Sequence, residues 1–227
     1  MEMLQSADFW LNLFEIIWIN IILSGDNAVV IALAARALPP AQQKVAIALG
    51  SGAAVVLRVA LTVLAAKLLA LPYLQIIGGL LLLWIGIQLL VEEDEEEGKG
   101  KEYAGIVAAV GTILLADLVM SLDNVIAVAA VAKGDSLLLI LGLGISIPLV
   151  VFGSTLMIRL MERFPIIVLL GATLIGWVGG ETIIGDVALH GILESNPWLH
   201  YVSAALGAAV VMLVGRRIGQ RARSATR

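Results

Sequence analysis

Seven uninterrupted apolar runs, each close to the length that crosses a bilayer, constrain this chain more than any other feature of its sequence. They occupy residues 9–35, 45–66, 68–91, 104–132, 137–158, 164–184 and 198–215. A hydrocarbon core about 30 Å thick needs roughly 20 apolar residues of α-helix. Helix punctuation separates the runs: Pro39-Pro40, Pro72, the stretch 92–100, Gly134-Asp135, Pro165 and Asn196-Pro197. Open strands would leave backbone groups unpaired in lipid, so the spans are helices. Of the 227 residues, 60% are hydrophobic and 14% charged, and mean hydropathy is +1.02. A soluble domain carries roughly a quarter charged residues, so the excess apolar surface has to face lipid. The chain contains 0 cysteines, which excludes disulfides, thiolate metal sites and thiol nucleophiles. The expected fold is an all-α polytopic membrane bundle of about seven transmembrane helices, forming a single domain over 1–227. The N-terminus has no basic leader, and the first apolar helix is expected to act as its own insertion signal.

The distribution of lysine and arginine sets the orientation. With the N-terminus outside the cell membrane, the cytoplasmic segments carry Arg36, Lys44, Lys99, Lys101, Arg159, Arg163, Arg216, Arg217, Arg221, Arg223 and Arg227. The opposite side keeps Lys67 and Lys133, and Arg58 falls within a helix. That imbalance predicts an odd number of spans and a cytoplasmic C-terminus.

An internal repeat adds to this. Ser24-Gly25-Asp26-Asn27 in the first run is matched, 97 residues later and without a gap, by Ser121-Leu122-Asp123-Asn124 in the fourth. The same offset pairs Arg36 with Lys133 and Gly79 with Gly176. Three helices per unit means that the second unit crosses the membrane inverted, an arrangement of transporters that bind substrate near mid-membrane. The units are residues 9–91 and 104–186. An acidic cytoplasmic linker, 92–103, joins them; an extra helix at 198–215 and a basic cytoplasmic tail at 216–227 follow. The repeat predicts that Asp26 and Asp123 approach each other.

Charges within apolar runs are costly, at least about 2.5–3.5 kcal/mol each, and are usually functional. They are Glu15, Asp26, Arg58, Asp117, Asp123 and Glu181, with Asp186 near the end of the sixth run. Some could face an aqueous vestibule or pair with Arg58, but one structural pair needs only one acid. At 100° per residue, Asn20, Ser24 and Asn27 form one stripe, and Asp117, Ser121 and Asn124 form the corresponding stripe of the fourth helix. Asp26 and Asp123 lie off these stripes, and a local break across residues 24–27 would let carboxylates, amides and freed carbonyls converge. Alternatively, Gly25 only permits close packing. Glu15, eleven residues before Asp26, shares its face and could form a ladder of carboxylates leading inward.

These are oxygen donors, suited to Mg²⁺, Ca²⁺ or Mn²⁺. His190 falls in the loop before the last run and His200 at the very start of that run, so Zn²⁺ and copper lack their usual donors inside the helices. Met120 offers a soft sulfur that would favour Mn²⁺, although a core position accounts for it more simply. Residues 92–97, six acids in a row, suit a solvated loop or a metal collector. The arginine-rich tail fits a topology signal and contact with anionic membrane lipid. Gly176 and Gly180 have the spacing of a close helix interface, within the chain or between protomers of a homo-oligomer. The sequence has no phosphate loop or nucleophile–histidine pair, so neither an enzyme nor a nucleic-acid partner is expected.

The Ser-x-Asp-Asn repeats, with Asp117 six residues before Asp123, resemble the TerC family. So does Gly176-Trp177-x-x-Gly180-Glu181-x-Ile183-x-x-Asp186. The resemblance covers nearly the whole chain. It implies kinship with LysE-type exporters and an activity in metal export, above all of Mn²⁺, in a family also associated with tellurite resistance and metal loading of exported proteins. Carried over by motif, it assigns ion coordination to Asp26, Asn27, Asp117, Asp123, Asn124, Glu181 and Asp186; Glu15 rests on its position alone. The short termini suggest the compact form of the family without an appended cytosolic domain. The expected function is export of a divalent ion, Mn²⁺ as substrate rather than resident cofactor, by alternating access. The alternatives are a non-transporting scaffold that aids insertion or metallation of other proteins, and an amino-acid exporter with Arg58 meeting the substrate carboxylate.

Overall fold

The computed structural model describes residues 7–23, 25–68, 71–96, 105–132 and 136–225, with side chains except at 7–8, 20–23, 63–68, 92–96, 123, 125–132, 136, 139 and 221–225. These residues form α1 (Ala7–Leu23), α2 (Gly25–Arg36), α3 (Pro40–Leu68), α4 (Leu74–Glu96), α5 (Ile106–Ala132), α6 (Ser136–Arg163) and α7 (Ile166–Ile184). A 3₁₀ turn (Val187–Leu189), the short α8 (His190–Ser195) and α9 (Leu199–Ala225) follow. Among the described residues there is no strand.

Among the described residues, five stretches are long and apolar enough to cross a membrane: Pro40–Thr62, Leu74–Val91, Ile140–Arg163, Ile166–Ile184 and Leu199–Gln220. Shorter apolar stretches, Phe9–Ile19 and Ile106–Leu122, lie in α1 and α5. Together they fall on the seven runs read from sequence. The chain is a polytopic helical bundle.

In the first apolar run Gly25, Asp26 and Asn27 are helical and open α2; Ser24, the other residue of the expected break, lies outside the described residues. The apolar run beyond Asn27 explains the helix, because a backbone away from water must satisfy its own hydrogen bonds. Among the described residues nothing lies within 4 Å of a Cβ built at Gly25. In the second half α5 continues through Ser121–Asn124 without interruption. Residues 190–195, read as loop, form α8, and α9 carries the helix beyond Gly215 into the basic tail. The acidic run begins inside α4, and residues 97–104 lie outside the described residues.

Two clusters of helices organise the bundle. In one, α4, α7 and α9 pack closely through glycines. A Cβ at Gly176 would lie 2.6 Å from the carbonyl oxygen of Gly207, and one at Gly79 would lie 2.5 Å from that of Gly179. Only glycine lets these backbones approach so nearly, and the Gly176/Gly180 spacing is thereby an interface within the chain. In the other, α1 and α2 pack on α6, and α3 packs on α5 and α6. Helix α2 links the clusters. Its residues Val30 to Ala35 are buried all round, as a uniformly apolar helix should be, and Met120 joins the same core. The α2–α3 turn is closed by Gln43, whose amide nitrogen donates to the carbonyls of Arg36 (3.3 Å) and Leu38 (3.0 Å).

Candidate cation site

The fourth-helix stripe places Asp117 and Ser121 one turn apart on α5, facing Arg58 of α3. The Arg58 Nη2 donates to Asp117 Oδ1 at 2.5 Å, and its Nε donates to Ser121 Oγ at 2.9 Å. Ser121 Oγ in turn donates to Asp117 Oδ2 at 3.1 Å. Both charged side chains are nearly inaccessible, at 5% and 6% exposure. The guanidinium meets one carboxylate oxygen directly and the other through the serine hydroxyl, so charge and hydrogen bonding are satisfied together. That is what a buried pair requires.

A cavity of about 20 Å³ opens beside this pair, its polar lining formed by Asn27 of α2, Ser51 and Arg58 of α3, Asp117 of α5 and Ser146 of α6, and the rest by apolar side chains of α2, α3 and α6. It has room for a water molecule or a dehydrated ion. The Ser146 hydroxyl bonds back to the Gly142 carbonyl at 2.8 Å, two residues before Pro148 interrupts the amide ladder of α6. The Ser51 hydroxyl is buried and has no hydrogen-bond partner among the described residues. A buried hydroxyl normally finds a partner, so an unused one against a cavity suits an absent ligand. Asp26, half-buried in the first turn of α2, accepts the Asn27 N–H at 2.9 Å and lies within electrostatic reach of both Arg58 and Asp117.

The structure therefore brings together Asp26, Asn27 and Asp117. The Asp123 side chain lies outside the described residues, so its approach to Asp26 does too, and Asn124 is half-buried on α5. Glu15 is on an exposed position of α1. Glu181 is at the far end of α7, accepting from Trp177 Nε1 at 2.9 Å and lying 3.2 Å from His200 Nε2. Asp186 is wholly buried and accepts four backbone N–H groups: Tyr73 at 2.9 Å and Ala188 at 2.8 Å on Oδ1, Gln75 at 3.0 Å and Ile76 at 3.3 Å on Oδ2. It caps the start of α4 and of the 3₁₀ turn. Burial opposes its ionisation, but the four donors outweigh burial and hold the carboxyl below its ordinary range. Among the described residues no three of His, Asp and Glu gather as a metal cluster. The donors around the cavity are instead carboxylate, amide and hydroxyl oxygens. Ser51 and Ser146 were not singled out from sequence; the one available signal was the seven-residue spacing that puts Ser51 on the same face of α3 as Arg58.

The sequence matches the integral membrane protein TerC family over residues 5–223. The chain belongs to the TerC family. It is 43% identical over 194 residues to the membrane protein YjbE of Bacillus subtilis (strain 168), covering 83% of this chain and 88% of that protein. It is 27% identical over 241 residues to the inner membrane protein YoaE of Escherichia coli (strain K12), covering 97% of this chain but 45% of the longer relative. The membrane protein YkoY of Bacillus subtilis is 28% identical over 209 residues, a match to 83% of this chain and 64% of that one. No solved structure matches. As a TerC-family chain, the protein is an integral membrane protein, in keeping with its apolar helices.

Proposed function

We propose that this protein carries a divalent cation, above all Mn²⁺, out of the cell across the inner membrane by alternating access. The observation that supports the reading is the small cavity between the helices that bear the two Asp-Asn repeats, where Asn27 on one wall and Asp117 on another bring oxygen donors into a largely apolar lining. Hard divalent ions take such donors at about 2.0–2.6 Å. Helix packing favours two inverted units: α3 on α5 is the counterpart of α1 and α2 on α6, and α2 on α7 is the counterpart of α5 on α4. The seven spans run from an external N-terminus to a cytoplasmic C-terminus. An amino-acid substrate fits poorly. Arg58 is engaged by Asp117, and a cavity of about 20 Å³ holds one small ion or water in this conformation.

The second reading, a membrane scaffold with structural acids, draws on the Arg58–Asp117 pair itself. Reconstitution into vesicles loaded with a metal-sensitive dye and challenged with a panel of divalent ions separates the two. Selective flux of Mn²⁺ supports the transporter, and a well-folded protein that moves none of the ions supports the scaffold.

A further inference from the structure

We propose that Arg58 is a tethered cation: it occupies the carboxylate site when the divalent ion is absent and is displaced when the ion binds. This rests on the cation-transport reading above and concerns how the empty protein returns.

A carrier that exports a cation must bring its empty site back across the membrane. Buried carboxylates without a counter-charge are strongly disfavoured. They can be neutralised by protons, by a monovalent ion, or by a cation belonging to the protein. Here the third is built in. The Arg58 guanidinium is bonded to Asp117 at 2.5 Å and to Ser121 at 2.9 Å, and it lines the same cavity as Asn27. Arginine keeps its charge under all physiological conditions, so this neutralisation needs nothing from solution.

The charge balance fits. Among the described residues, Asp26, Asp117 and Arg58 in their ionised forms carry a net single negative charge; with the guanidinium withdrawn the two carboxylates carry two, which matches a divalent ion. A monovalent ion would exchange one positive charge for another and still have to free Arg58 from its bonds to Asp117 and Ser121, so it does not displace it. Arg58 thereby excludes Na⁺ and K⁺ and makes the return step independent of a coupling ion.

The test compares net Mn²⁺ flux with Mn²⁺–Mn²⁺ exchange in vesicles containing the whole protein, at one pH, with Na⁺ and K⁺ present or replaced by a bulky organic cation. Exchange never returns an empty site; net flux does. Wild type should show net flux that ignores the monovalent ions. In Arg58→Gln the ratio of net flux to exchange should fall at least about tenfold, because an unpaired buried carboxylate raises the barrier to return. Na⁺ or K⁺ should restore it, and Arg58→Lys should keep a ratio near that of wild type. An unchanged ratio in Arg58→Gln, or wild-type net flux that requires Na⁺ or K⁺, overturns the proposal while leaving divalent transport standing. If Arg58→Gln is not recovered folded, the wild-type counter-ion measurement decides alone. Absence of any divalent flux in wild type defeats the transport reading itself, before any variant is compared.

Discussion

The Arg58 guanidinium on α3 and the Asp117 carboxylate on α5 form an ion pair at 2.5 Å with both side chains buried. The pair holds two helices of opposite halves together beside the cavity. Its energetics differ from those of a surface bridge. Two charges taken out of water are offset by their mutual attraction and by the Ser121 bonds, and removing either partner leaves the other exposed to a low-dielectric interior.

Asp117→Asn should therefore reduce stability by about 3–5 kcal/mol, since the guanidinium keeps its charge and loses its counterpart. The double variant Arg58→Met, Asp117→Leu should recover most of that loss, because it removes both charges while keeping apolar volume. Thermal melting of the detergent-solubilised proteins checks this. A double variant no more stable than Asp117→Asn would mean that the pair is not an isolated electrostatic unit.

Asn27 and Asp26 behave differently, since neither anchors the ion pair. Asp26→Asn and Asn27→Ala should express and melt like wild type and lose Mn²⁺ flux at least about tenfold, as a dehydrated divalent ion needs each charged or polar oxygen it is offered. Vesicle flux with wild-type expression in both variants would show that the cavity is not on the ion's path.

Sequence and structure agree where a residue's role depends on its own helix. The helices in the seven apolar runs, the Asp117–Ser121 stripe and the Gly176/Gly180 interface all follow from the pattern along one element. What sequence could not convey is partnership across long separations. Asp186 looked like one more intramembrane acid, but its four donors include three from residues 73–76, more than a hundred positions earlier. Ser51 and Ser146 are single hydroxyls in apolar helices, and nothing local distinguishes them from the serines that merely bond back to their own helix. The turn-forming residue types at 24–27 point to a local break; Gly25, Asp26 and Asn27 are helical as the first turn of α2, and Ser24 lies outside the described residues.

Glycine substitutions separate close packing from mere presence in a helix. A Cβ at Gly176 would lie 2.6 Å from the Gly207 carbonyl oxygen, so Gly176→Ala should force α7 and α9 apart and cost about 1–3 kcal/mol. Among the described residues nothing lies within 4 Å of a Cβ at Gly25, and Gly25→Ala should be neutral or stabilising by up to about 1 kcal/mol. Equal melting temperatures for the two variants would contradict the close α7–α9 approach.

The cap at Asp186 gives a prediction with a defined pH dependence. Tyr73 sits at φ 69°, a backbone region that non-glycine residues seldom occupy, and its N–H is held by Asp186 Oδ1 at 2.9 Å. Asp186→Ala removes the acceptor for four buried or partly buried N–H groups and frees this turn to relax. The expected loss is about 1–3 kcal/mol, or several degrees in melting temperature for a chain of this size. The sign of the pH effect follows from the carboxyl being held below its ordinary value of 3.8. Its ionised form is favoured by folding, so its contribution is complete above that value and is lost as pH falls through the lower folded-state value. The gap in melting temperature between wild type and Asp186→Ala should be constant near neutrality and narrow below about pH 4. A gap that widens on acidification would mean that the protonated carboxyl, not the carboxylate, binds these amides.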